Sequence, residues 1–230
     1  EEHDSKIDQI VRIIQYLKTL PVKTVSIDKV EADDIIAYLS HKALKQQGDK
    51  AFIISSDKDF LQLVNDRVVV YRPIEKKFYT NESFKEKYNM PSENFIIYKT
   101  LMGDSSDKIK GIKGLGEKKL FKLFPELSKW EVSWKDILDI CERKYKDHII
   151  YARIIQEVNE LEKNYKIMDL SNPMMSKDDK EYLDGFVNSK ELTYNPKLFT
   201  DLYNEDELGG MIRNLDFWLR ENFLKLVSKK

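Results

Sequence analysis

Cysteine is nearly absent from this 230-residue sequence. Its single thiol, Cys141, excludes an internal disulfide framework and suits a reducing compartment. No apolar run approaches the ~18 residues that a membrane-spanning helix needs, so no membrane partner is expected. The first residues, EEHDSKIDQ, are acidic and carry no apolar stretch, which reads against a secretory leader. We therefore expect a cytoplasmic protein. Neither sign of charge dominates, since 39 Lys and Arg stand against 40 Asp and Glu. Net charge thus gives no hint of a nucleic-acid partner. Charged residues still make up 34% of the chain, so their arrangement has to carry the information. The length suits one large domain or two small ones with a real core. There is no internal repeat.

What is present begins with helix spacing. Ile7, Ile10, Val11, Ile14, Leu17 and Leu20 recur at three- and four-residue steps, up to Pro21. VKTVSI (22–27) then reads as a short buried strand. EADDIIAYLSHKALKQQGDK reads as a helix closing near Gly48, AFIIS (51–55) as a second buried strand, KDFLQLV as a short helix and RVVVYR as a third strand. Alternating strands and helices predict an α/β fold with a parallel sheet. From Ser92 the strand signal fades. SENFIIYKTLM is helical, residues 148–168 form one long candidate helix, and SNPMMS and NSKELTYNP read as connectors. The end of the chain is helical around Gly209 and Gly210. The expected division is an α/β core at 1–102, a connecting element at 103–145 and a helical region at 146–230.

Acidic residues gather where strands end and helices begin, which is where sites form in parallel α/β sheets. Glu31, Asp33 and Asp34 follow the first expected strand. Asp57 and Asp59 follow the second. Asp104 and Asp107 open the helical half. Each alone reads as a helix cap. Together the seven would repel one another and raise each other's pKa unless a cation intervened. Mg²⁺ is the usual hard partner of such oxygen ligands, and two ions ~4 Å apart suit phosphodiester chemistry.

GIKGLGEKKLFKLF follows directly. Gly114 and Gly116 bracket a turn into a helix beginning at Glu117, with Lys110, Lys113, Lys118 and Lys119 around it. Backbone N–H groups and lysines in this pattern suit phosphates of a nucleic-acid backbone, with little base readout. A plain turn with a solvated lysine face is the alternative, disfavoured by the acids immediately before it.

VEADD, SSDKDFLQLV and GDSSDKIKGIKGLGEKK, in this order between Val30 and Lys119, resemble the 5′-nuclease superfamily of flap endonucleases, polymerase I 5′-nuclease domains and phage 5′→3′ exonucleases also called RNase H. The resemblance implies a PIN-like parallel-sheet core followed by a helix–three-turn–helix DNA-binding element (103–145) and a helical C-terminal region. It implies hydrolysis of flap or RNA-primed DNA in replication or repair. Glu31, Asp33 and Asp34 would serve one Mg²⁺ (or Mn²⁺), and Asp57, Asp59, Asp104 and Asp107 the other. Gly114, Gly116 and Lys118 would hold the duplex backbone, with a K⁺ ion in the turn. The size resembles the phage branch, for which the compartment would be the host cytoplasm, and replication proteins would be partners.

The sequence departs from the family at its front. The family's first strand, with its Asp, and its basic helical arch precede the EADD helix and have no counterpart here. A separate N-terminal segment, on a precursor or a second chain, is the expectation. The competing readings are a non-catalytic branched-DNA-binding module and a PIN-type ribonuclease. His3, His41 and His148 lie outside every motif and read as surface or packing residues.

Overall fold

The structure, a computed structural model, describes residues 2–42, 44–106, 108–189 and 192–227. In chain order, α1 is Glu2–Thr19, α2 Ala32–Lys42, β1 Ala51–Ile54, β2 Val68–Arg72 and β3 Lys77–Tyr79. Then come α3 (Asn81–Tyr88), α4 (Phe95–Met102), β4 (Gly103–Asp104), β5 (Ile109–Lys110), α5 (Glu117–Leu123) and α6 (Trp134–Arg143). The remainder is helical: α7 Ile149–Gln156, α8 Val158–Met168, α9 Lys177–Asn188, α10 Pro196–Glu205 and α11 Leu215–Leu219. Among the described residues no helix is long and apolar enough to cross a membrane.

The chain divides into two compact units, residues 29–184 and residues 1–28 with 185–230. In the larger unit β1 pairs in parallel with β2, Ala51 opposite Val68 and Ile54 opposite Tyr71. The hairpin partner β3 adds an antiparallel strand to β2. Alternation along β1 buries Ile53 and exposes Phe52 and Ile54. Behind the buried face lie Leu61, Val70, Tyr79, Phe84, Met90 and Phe95. A second cluster centres on Ile97, Leu101, Leu120, Phe124, Ile137 and Ile150, and joins α4 to α5, α6 and α7. Cys141 is buried there, and burial pushes its thiol up to about 12, so it is inert as a nucleophile.

The smaller unit packs Leu20 after α1 against Phe199, Tyr203 and Leu219. The forked guanidinium of Arg12 lies 2.9 and 2.6 Å from Asp206, and the Tyr16 hydroxyl donates to the same carboxylate at 2.8 Å. These donors hold Asp206 below the usual carboxylate range.

Three expectations are corrected. Residues 22–27 form no strand. The β-branched Val22, Thr24, Val25 and Ile27 suit one, but the Lys23 ammonium is drawn to the carbonyls of Phe186 and Ser189, at 2.6 and 2.5 Å. Among the described residues no strand pairs with this segment. The long helix at 148–168 is two helices broken at Glu157, whose ψ of 9° leaves the helical region. The helix expected to close near Gly48 is shorter, since α2 is Ala32–Lys42 and residues 44–48 form no helix. Residues 177–188, outside the expected connectors except for Asn188, form α9, and Ser176 and Asp179 exchange hydrogen bonds at its start, which satisfies backbone donors there.

Candidate active site

Each acidic group owes its position to a local device. In α2, Ile35, Ala37 and Tyr38 are buried, which turns the first helical turn outward with Asp33 and Asp34 on it and Glu31 just before. Asp34 also accepts a bond from the Met174 amide at 2.9 Å. After β1 the chain runs through Ser55–Asp59. The Ser55 hydroxyl accepts from the Asp57 amide at 3.1 Å, and Asp57 accepts from the Asp59 amide at 2.9 Å. The cap-like role of Asp57 is therefore real, and it orients the same carboxylate. Phe60, Leu61 and Leu63 anchor the turn that follows. Arg72, buried at the end of β2, donates to the Ser56 carbonyl at 2.6 Å and pairs with Glu75. No local pattern around Arg72 signals this tether.

The third group sits on the β4–β5 hairpin. Gly103, with φ of +81°, and Gly111 meet with their backbones in contact, and a Cβ on either would collide with main chain. This close approach places Asp104 beside α4. There the Lys99 ammonium, with its side chain 5% exposed, lies 2.8 Å from Asp104 and also pairs with Asp59. Asp107 lies outside the described residues.

Glu31, Asp33, Asp34, Asp57 and Asp59 line one cleft of about 1000 Å³. Lys29, Lys108 and Lys110 share its wall, and α8 contributes Glu160, Lys163 and Asn164. Burial raises the Asp33 carboxyl, and the charges of Asp57, Asp59, Glu31 and Asp34 raise it further. Asp104 goes the other way. Burial would raise it, but bonds from Lys99 and from the Ser106 hydroxyl and amide outweigh that and hold it at about 2. For Lys99 burial works against the charge, and Asp104 and Asp59 overcome it and raise the ammonium. Among the described residues no three carboxylates stand close enough to share one ion. Lys99 is the cation between two of the groups, and sequence reasoning missed it. The donor set is all oxygen, crowded and mutually repelling, which fits a hard divalent cation.

The glycine–lysine turn is a separate feature. Gly114 has φ of +82°, and its neighbours close a turn through the Leu115 amide and the Ile112 carbonyl at 3.0 Å. Lys113, Lys118 and Lys119 are exposed. The Lys119 ammonium donates to the Gly114 carbonyl at 2.7 Å, and Arg153 from α7 donates to the Lys113 carbonyl at 2.5 Å. Of the lysines predicted to face DNA, Lys110 belongs to the cleft wall instead of the turn. Gly116 stands at the N-terminal end of α5, where its carbonyl accepts from the Lys119 and Leu120 amides. His148 accepts from the Ile150 amide as the cap of α7, a structural role.

Residues 2–89 match the family model described as the 5′-3′ exonuclease N-terminal resolvase-like domain. A 5′-3′ exonuclease of Buchnera aphidicola (Acyrthosiphon pisum) is 36% identical over 134 residues, 58% of this chain and 46% of that protein. A 5′-3′ exonuclease of Aquifex aeolicus is 31% identical over 174 residues, 71% of this chain and 60% of that protein. The chain spans about half the length of the curated exonucleases it matches. Among solved structures, a bacteriophage T5 protein co-crystallised with metal ions superposes with a TM-score of 0.58 at 24% identity, over 71% of this chain and 61% of that one. A T5 flap endonuclease in a pseudo-enzyme–product complex with DNA and metal ions gives 0.54 at 23% identity, over 80% and 62%. These last two are likenesses of fold.

Proposed function

We propose that this chain belongs to the 5′-nuclease superfamily, on the family match at residues 2–89 and the likeness to 5′-3′ exonucleases, and that it acts as a structure-specific 5′-nuclease on flap or RNA-primed DNA in replication or repair. The observation that carries this reading is the cleft in which five carboxylates from two helix- and strand-end segments face lysines. Glu31, Asp33 and Asp34, too far apart in this structure to share an ion, would have to close on one divalent cation as it binds, with Mg²⁺ the first choice. Asp57, Asp59 and Asp104, with Asp107, would hold the second. When bound, such ions lower the pKa of water and stabilise charge on a phosphoryl oxygen.

The chain's own residues do the rest. Arg72 and the Ser55–Asp57 turn keep two acids at the cleft mouth. Lys99 prevents Asp59 and Asp104 from repelling each other apart. Lys108 and Lys110 on the same wall offer positive charge to a phosphate entering beside the acids. The lysines of the glycine–lysine turn, which do not line the cleft, grip the duplex backbone. Cleavage of a labelled 5′-flap duplex in Mg²⁺, lost in EDTA, is the test. Binding of the flap without cutting in any divalent metal would favour the non-catalytic branched-DNA module.

The lysines of the turn set affinity and take no part in the chemistry. Lys118→Ala should weaken binding alike on all sequences and flatten the log–log salt dependence by ~0.9. A titration series over salt concentration checks this, and an unchanged slope would return Lys118 to a solvated surface role.

A further inference from the structure

The family resemblance implies a K⁺ ion in the glycine turn, and the residues present do not fit one. K⁺ bound by a peptide is held by backbone carbonyls that replace its water. Three successive carbonyls of this turn are already engaged. Ile112 accepts from the Leu115 amide at 3.0 Å, Lys113 from Arg153 Nη1 at 2.5 Å and Gly114 from Lys119 Nζ at 2.7 Å. An added ion would have to share these oxygens with their present donors, two of which are the positive charges of Arg153 and Lys119.

We propose that the turn carries its own cations, so that its grip on DNA is independent of K⁺, and that Arg153 is a further DNA-backbone contact. The second half rests on the proposed nuclease reading. Arg153 sits on α7, forty residues from the turn, and no motif contains it. Its Nη1 lies where a Cβ on Gly114 would come within 3.2 Å, so the absence of a side chain at Gly114 makes room for the guanidinium. A guanidinium has five N–H donors. One closes the turn, and the other four have no partner among the described residues. A planar fork held by one arm, beside Lys113, Lys118 and Lys119, suits bidentate contact with a phosphate. Lys119 plays the lesser part, since its ammonium is a point charge on a flexible stem.

The experiment is anisotropy of a labelled 5′-flap duplex with the 230-residue chain in EDTA. K⁺, Na⁺ and tetramethylammonium chlorides are compared at one ionic strength. The unaltered chain should bind equally in all three, within about twofold. Arg153→Ala should weaken binding about tenfold in every salt, the fold-change of one charge-assisted hydrogen bond. Lys118→Ala runs alongside. Binding several-fold tighter in K⁺ than in tetramethylammonium would overturn the proposal. So would full affinity in Arg153→Ala while Lys118→Ala is weakened. If neither variant moves the affinity, the turn does not face DNA, and the nuclease reading of the turn falls with it. Should Arg153→Ala fail to melt like its parent, Arg153→Lys keeps the charge without the fork and should still bind more weakly. The salt comparison needs no variant at all.

Discussion

Asp33→Asn should slow flap cleavage about 10²–10³-fold, the effect of losing about 3–4 kcal/mol of metal-assisted stabilisation of transition-state charge. DNA affinity should hardly change, because the lysines of the turn, Lys113, Lys118 and Lys119, do not line the cleft. The same substitution should raise the melting temperature in metal-free buffer. The sign follows from the raised carboxyl. A folded-state pKa above the unfolded one means that ionisation is disfavoured by folding. The charged form therefore costs stability at any pH above the folded value, and the neutral amide removes that cost. Added Mg²⁺ should stabilise the parent more than the variant. Single-turnover cleavage and thermal melts at alkaline pH check both halves. A variant that cuts normally would remove Asp33 from the chemistry, and one that melts lower would remove the repulsion.

Lys99→Met should destabilise the metal-free protein by about 3 kcal/mol, the scale expected when one partner of a buried ion pair is deleted. Asp59 and Asp104 would be left facing each other with no cation between them. Asp104, held at about 2, contributes stability that is present above the ordinary carboxylate pKa and is lost as pH falls toward 2. In the variant that dependence should vanish or reverse, since a neutral carboxyl would relieve the repulsion. A divalent cation should restore much of the loss. Urea unfolding with and without Mg²⁺, at neutral and acid pH, measures this. Equal stability of variant and parent would show that Lys99 does not hold the two acids.

The parts of the site legible in the sequence were those made by contiguous residues. EADD before IIAYL and SSDKD after AFII carry their acids at element ends, and a local pattern suffices to place them. The α/β character of the front half was equally visible, because β-branched runs alternate with helical spacing. Lys99 was invisible for the opposite reason. Within FIIYKTLM it reads as an exposed lysine on an apolar helix, and its burial depends on Asp59, forty residues earlier. Arg72 is the same case, since its partner is a main-chain carbonyl in another loop. Residues 22–27 were misread because a short β-branched run suits a buried strand and says nothing about whether a neighbour is there to pair with it. In α9 the apolar residues are sparse around Gly185, so its start is fixed by a capping exchange more than by periodicity. Arg153 could not have been found, as only the folded turn brings it to Gly114.

Calorimetric titration of Mg²⁺ into the 230-residue chain, beside an Asp33→Asn, Asp57→Asn double variant, tests the central claim most directly. The carboxylate cleft predicts saturable binding in the parent and binding at least about tenfold weaker in the variant, which loses a charged oxygen ligand from each group. Equal affinity in the two proteins, or no saturable binding in the parent, would contradict a metal site built from these acids.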